Sequence, residues 1–327
     1  MKNTNLDIKN IDQLINEKLL FIYRNEKTGF NIKYYSDLIL DLIKTFQKDY
    51  KFKKKIISEK TFLLISYGDN LKNKKEVPLK TLKNFFDKNL KTFFEILHVL
   101  PFYPSSSDGG FSVTDHKNVN KELGTWHDIR SLSNHASIMA DLILNHSSIK
   151  GKWFNSFIKE KEDYKNFFFT IDDNFDFSKV IRPRDHKLIQ IYNYKKKNNK
   201  LWCTFSHDQI DLNFKDPLVL IEFIEIVLLL LSKGVTTFRL DAVAFIWKKN
   251  GTSCVNLPET HEIVKLLRLI VNYINPHALI VTETNLPRKE NLSYFGNNDE
   301  ANWIYNFPLP PLLSLIHISE PTRHASI

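Results

Sequence analysis

Two carboxylates stand out by type and position. Asp241 closes the apolar run TFRLDA, and Glu283 closes IVTET, the next such run in the chain. If both runs are neighbouring parallel strands, they lie about 4.8 Å apart. Carboxylates at matching strand ends then approach the separation of about 5–5.5 Å used in retaining glycosidic chemistry. One attacks an anomeric carbon. The other protonates the leaving oxygen and later deprotonates the incoming acceptor. Arg239, two residues before Asp241, points to the same side of the strand, and its fixed charge is expected to keep Asp241 ionised. Either acid alone reads as well as a cap or an ion-pair partner; Arg-x-Asp together with Glu favours chemistry.

Positioning these groups requires parallel strands covered by helices. TFLLISYG (61–68), FFEILHVLPFYP (93–104), SIMADLILNH (137–146), VTTFRLDA (235–242) and ALIVTET (278–284) are short apolar runs of buried-strand type, with a further strand expected around 303–307. Helical patterns begin at Pro78, near Trp126, at Pro217 and at Glu259. Unalternating strands interleaved with helices imply a parallel sheet. No glycine-rich phosphate fingerprint follows the first strand, which argues against a dinucleotide fold. Polar residues cluster instead at strand C-terminal ends (Asp69, His98, Asn145, His146, Arg239, Asp241, Glu283), where barrel enzymes place their chemistry. The expected fold is α/β, an incomplete (β/α)8 TIM barrel over residues 61–313. Residues 1–60 read as a helical N-terminal extension, and 147–205, rich in Lys, Asn and Phe, as a subdomain inserted after the third strand.

The chain has 327 residues, 43% hydrophobic, with 25 Phe, 12 Tyr and 5 Trp. That supports one large core; most of the rings are expected to be packing. Net charge is +9, with Lys-dense stretches at 51–55, 72–75 and 195–200. They lie far apart and carry no nucleic-acid motif, so solvated loops are the expectation and no nucleic acid is implied. Two cysteines, Cys203 and Cys254, form no disulfide framework and suit a reduced, cytoplasmic setting. The start lacks a signal-peptide core, and the most apolar run, 218–231, contains Glu222 and Glu225 and is too short to span a bilayer. No membrane partner is expected. His–Asp neighbours such as His127–Asp128 and His207–Asp208 lack paired ligand spacing, so no metal and no cofactor is expected.

DLILNH, FRLDA and VTETN, in that order, resemble three conserved regions of glycoside hydrolase family 13, the α-amylase superfamily; QIDLN (209–213) resembles the region that closes that family's inserted subdomain. The stretches HVLPFYPSSSDGGFSVTDHKNVNKELGTW, RLDAVAF with GTSC, and YNFPLPPLL are similar to the sucrose phosphorylase subfamily, and ISYGDN, WKKNGTSC and ETNLP to its glucosylglycerate phosphorylase-like branch. The resemblance implies transfer of a glucosyl group from a small glucoside to inorganic phosphate. It makes Asp241 the nucleophile and Glu283 the acid/base. It places Arg239 and His146 on the sugar, with Asp108 holding glucosyl hydroxyls, Phe111 and Phe245 as apolar walls, and Gln209 at the pocket. Arg182 and Arg184 (IRPRD) match an Arg-Pro-Arg on the acceptor and phosphate side, with a surface ion pair as the alternative. Asp141 and Asn145 are implied to be structural, and the calcium that some amylases bind near the Asn145 position is not expected. An α-glucosidase or transglucosidase using the same carboxylates, and a non-catalytic fragment, are the competing readings.

The family's third carboxylate, in a His-Asp pair on the seventh strand, has no counterpart after Glu283. SLIHISEPTRHASI (314–327) resembles translated sequencing-adapter sequence. A C-terminally truncated, inactive chain is therefore the expectation.

Overall fold

The computed structural model describes residues 8–26, 30–47, 50, 57–194 and 197–314. The adapter-like tail lies outside them except for Ser314, as does the Lys-dense stretch at 51–55.

In chain order the elements are α1 (Ile8–Tyr23), α2 (Ile32–Gln47), β1 (Leu63–Ser66), α3 (Pro78–Asn89), β2 (Ile96–Val99), α4 (Trp126–Leu132), β3 (Ser137–Ile143), β4 (His146–Ser148), α5 (Lys152–Ile158), β5 (Ile189–Tyr194), β6 (Lys197–Trp202), β7 (Gln209–Asp211), α6 (Pro217–Ser232), β8 (Val235–Asp241), α7 (Pro258–Ile274), β9 (Leu279–Thr282), α8 (Arg288–Leu292) and β10 (Trp303–Ile304). Six strands form one parallel sheet in the order β1-β2-β3-β8-β9-β10, with β1 and β10 at its edges. Each step between neighbours crosses over through a helix, as parallel pairing demands. This is six strands of a (β/α)8 barrel, as the strand pattern predicts.

Alternation sorts the strand residues onto two faces. Leu97, Ile138, Ala140, Phe238, Leu240 and Ile280 join the main core shared with the helices. Ile96, Met139 and Val281 form a separate apolar cluster with Leu63, Trp303 and Tyr305. The second set lines the concave side, and the polar residues two positions further along the same strands extend it toward the strand C-termini. β3 is buried along its whole length, which both-face coverage produces.

Helix starts follow local chemistry. Pro occupies the first turn of α3, α6 and α7, where its missing N–H costs nothing. The Asp216 carboxylate accepts the Leu218 N–H at the start of α6, and Thr125 with Asp128 forms a capping box on α4.

The N-terminal helices belong to the main core. α1 buries Ile11, Ile15, Leu19 and Ile22 on one stripe. It packs on α7 and on α2, which in turn packs on α6. Between β3 and α6 the chain makes α5, an antiparallel β5–β6 hairpin, and a short antiparallel pairing of β4 with β7. The lack of clear periodicity seen in this stretch of sequence conceals the hairpin.

Candidate active site

β8 and β9 set the two carboxylates. Their register pairs Leu240 with Thr282, so Asp241 and Glu283 are the next matched positions, and the Glu283 N–H donates to the Leu240 carbonyl at 3.0 Å. After Asp241 the chain turns sharply: Ala242 has φ 49°, a left-handed conformation that costs a non-glycine residue about 1 kcal/mol or more. That turn aims the Ala242 N–H at the Glu283 Oε2, 2.9 Å away. Asp241 and Glu283 thus share one face of adjacent strand ends.

A single guanidinium organises the acids. Arg239 donates from Nη1 to Asp141 Oδ1 at 2.5 Å and to Asp241 Oδ1 at 2.8 Å, and its Nη2 lies 3.9 Å from Glu283 Oε1. Asp141 also bonds His98 Nε2 at 2.9 Å, and its carbonyl accepts from the Tyr103 hydroxyl at 3.0 Å. Burial pushes Asp241 up to about 7, with Glu283 and Asp141 adding to the rise and Arg239 opposing it. Arg239 favours the ionised form of Asp241, in the direction expected of it, while desolvation and two like charges outweigh that one shared cation. Phe111 and Tyr305 flank the guanidinium, with ring centroids 5.6 and 5.3 Å from its carbon.

The remaining predicted residues fall into two groups. His146 Nε2 stands 3.2 Å from the Phe111 carbonyl and 3.1 Å from Gln209 Nε2, and Gln209 Nε2 donates to Asp108 Oδ2 at 2.8 Å. Burial lowers the His146 pKa to about 4, so its imidazole is neutral near pH 7. Phe245 meets Phe205 edge-on at 5.5 Å, and Phe205 meets His146 at 5.4 Å. Asp108, Arg184, Phe205 and Gln209, with Ser106 and Lys150, line one cavity of about 490 Å³. Arg182 is not in it. Its guanidinium donates to the His186 carbonyl, and it borders a different cleft with Phe177 and Leu188. The two arginines, equivalent in sequence, are separated by the turn through Pro183.

Asn145 and Asp211 face an internal cation. Lys248 Nζ lies 2.5 Å from Asp211 Oδ2 and 2.9 Å from Asn145 Oδ1, with Lys248 and Asp211 almost wholly buried. Thr204 donates its N–H and its hydroxyl to the same carboxylate. Among the described residues no group of three His, Cys, Asp or Glu side chains could hold a metal ion, and no helix is long and apolar enough to cross a membrane.

Sequence reading missed Phe205, Tyr305 and Lys248. Tyr305 lies in the recognised YNFPLPPLL stretch, and Lys248 follows FRLDA by six residues; each signal was present but had no partner until the fold supplied one.

Comparison with known proteins shows the family and the fold. The alpha-amylase catalytic-domain family model matches residues 90–322. A glucosylglycerate phosphorylase from Allomeiothermus silvanus is 49% identical over 257 residues, covering 78% of this chain and 46% of the relative. One from Escherichia coli is 43% identical over 263 residues, covering 80% and 47%. The crystal structure of sucrose 6F-phosphate phosphorylase from Thermoanaerobacter thermosaccharolyticum superposes with a TM-score of 0.69 at 28% identity, covering 78% of this chain and 54% of that one. The chain spans about half the length of these relatives. A parallel barrel sheet, acids on consecutive strand ends and a family match over most of the chain converge: this protein belongs to the α-amylase family, glycoside hydrolase family 13.

Proposed function

We propose that this site moves a glucosyl group from a small α-glucoside to inorganic phosphate with retention, giving α-glucose 1-phosphate. The observation that carries the reading is the pairing of Asp241 and Glu283 around Arg239 at adjacent strand ends. Ionised Asp241 attacks the anomeric carbon and forms a glucosyl ester, while Glu283 gives its proton to the departing oxygen. A phosphate oxygen then attacks the same carbon, Glu283 takes back a proton, and Asp241 leaves. Two inversions give net retention. Asp108, Gln209 and His146 would grip the glucosyl hydroxyls, and Phe111 would pack against the ring. Arg184, in the cavity with Asp108, would hold the phosphate or an anionic acceptor, which a guanidinium fork suits.

Phosphate as the acceptor is supported by the relatives, which are named phosphorylases, since water could use the same two carboxylates. Glucosylglycerate is the first donor to try, then sucrose, sucrose 6-phosphate and glucosylglycerol. The test incubates donor and phosphate with this chain and, separately, with a longer protein containing it. Glucose 1-phosphate formation supports the reading, and free glucose alone replaces it with a hydrolase. Turnover by the longer protein only would show that the six strands described here act with further barrel strands.

A further inference from the structure

Asp208 lines the same cavity as Asp108 and Arg184, and its largely buried carboxylate is not used by the transfer chemistry. Asp208 Oδ2 accepts hydrogen bonds from Ser107 Oγ at 2.5 Å, Ser106 Oγ at 2.6 Å and Ser112 Oγ at 2.8 Å, and its Oδ1 accepts from Ser148 Oγ at 3.0 Å. Four hydroxyls converge on one carboxylate, three of them on Oδ2 and one on Oδ1. Burial disfavours this charge, yet the serine hydrogen bonds outweigh it and hold Asp208 below the ordinary carboxylate range. Among the described residues no cation pairs with it.

The serines are placed tellingly. Ser107 and Ser112 are the two limbs of a tight turn, joined by a Ser112 N–H to Ser107 carbonyl bond of 3.3 Å. Inside the turn Asp108, Gly109 and Gly110 have φ of 57°, 58° and 102°, three consecutive left-handed residues. A Cβ on Gly109 would sit 2.8 Å from the Tyr67 hydroxyl, and one on Gly110 would sit 2.8 Å from the Pro101 carbonyl. Asp108 has no such excuse for its conformation. A strained turn of this kind persists only where its surroundings over-determine it. The residue after Asp208 completes the hold, because Gln209 donates to the Asp108 carboxylate.

We infer that Asp208 is a positioning residue: by clamping both limbs of the 107–112 turn it aims Asp108 at the glucosyl group, and so couples the chain just after the inserted segment to sugar recognition. This rests on the reading of Asp108 as a sugar-binding residue given above. An amide at 208 keeps the shape but loses one acceptor oxygen and adds two donors, so the clamp should open in Asp208→Asn. Ser107→Ala removes one hydroxyl and tests the same link in a milder background.

Two measurements decide the matter in the wild-type and variant proteins: amide hydrogen exchange, and titration with glucose. In Asp208→Asn, exchange at the Gly110, Phe111 and Ser112 amides should rise about tenfold or more while α7 amides are unchanged, and the glucose dissociation constant should rise by about the same factor. Ser107→Ala should shift both in the same direction by less. A uniform rise in exchange throughout the molecule with unaltered glucose affinity would mean a merely structural role and overturn the inference. Unchanged exchange in the turn would overturn it as well. If the wild-type protein binds no glucose, the sugar-pocket reading fails and takes this inference with it, whereas normal glucose binding with an indifferent Asp208→Asn defeats the inference alone.

Discussion

The Glu283 carboxylate accepts a hydrogen bond from the backbone of Ala242, the residue immediately after Asp241. The strained left-handed turn at Ala242 therefore fixes the acid/base group relative to the nucleophile through main chain, with no intervening flexible side chain. In Glu283→Gln the amide oxygen can still accept that bond, so the fold should be retained with little change in melting temperature. Glucosyl transfer to phosphate should fall by about 10²–10⁴-fold. Glucosides with strongly acidic leaving groups should be spared in the first step, because they need no proton. Assay of both donor types in the longer protein checks this, and equal turnover by wild type and variant would remove Glu283 from its role.

The raised pKa of Asp241, about 7, has a definite sign in kinetics and in stability. As nucleophile it must be ionised, so kcat/KM in the longer protein should climb through an acid limb near pH 7, well above the ordinary carboxylate value of 3.8. The native state keeps this proton where the unfolded chain has released it. Asp241 therefore contributes a loss of stability that develops as pH rises from 3.8 to about 7. Denaturant titrations of wild type and Asp241→Asn at pH 5 and pH 8 should show the variant gaining relative to wild type at the higher pH.

Lys248 should behave as an internal counter-ion. In Lys248→Met the charge of Asp211 is left buried against Asn145 and Thr204, and stability should fall by about 3–5 kcal/mol. Adding Asp211→Asn should recover part of that loss. A Lys248→Met protein melting with wild type would show that water, and not the ammonium, balances Asp211.

Arg184 and Arg182 should separate in kinetics as they separate in space. Only Arg184 shares the cavity with Asp108. Arg184→Ala should raise the KM for phosphate or an anionic acceptor by about tenfold, the loss expected for one charge-assisted contact. Arg182→Ala should stay near wild type. The reverse pattern would move the acceptor site to the neighbouring cleft.

Much of the site can be read without coordinates because strand ends advertise themselves. Asp241 and Glu283 each terminate an apolar run, and strand alternation puts Arg239 beside Asp241. The same rules say nothing of Phe205, which reaches His146 and Phe245 from the end of the inserted segment, or of Tyr305, whose ring meets Arg239 from beyond β9. Such contacts depend on chain returning from a distance and leave no local period. The β5–β6 hairpin escaped for a related reason: Ile191 is exposed and the run Lys197–Lys200 is polar, so neither strand shows a sustained apolar face. The charge state of Asp241 is also illegible in sequence, because it depends on how much water the pocket excludes and on an Asp141 that arrives from β3.

The two N-terminal helices have a practical bearing on anyone trimming this protein to a minimal catalytic core. They shelter α7 and α6, the helices that back β8 and β9; Lys18 anchors them to Glu262 at 2.6 Å, and Tyr23 meets Trp247 at 6.2 Å between ring centres. Deleting them would bare an oily strip directly behind the strands bearing both acids. A shortened version would need that strip redesigned with polar residues, and an alignment-guided cut at the first barrel strand would sacrifice the scaffold's outer wall where the chemistry leans on it most.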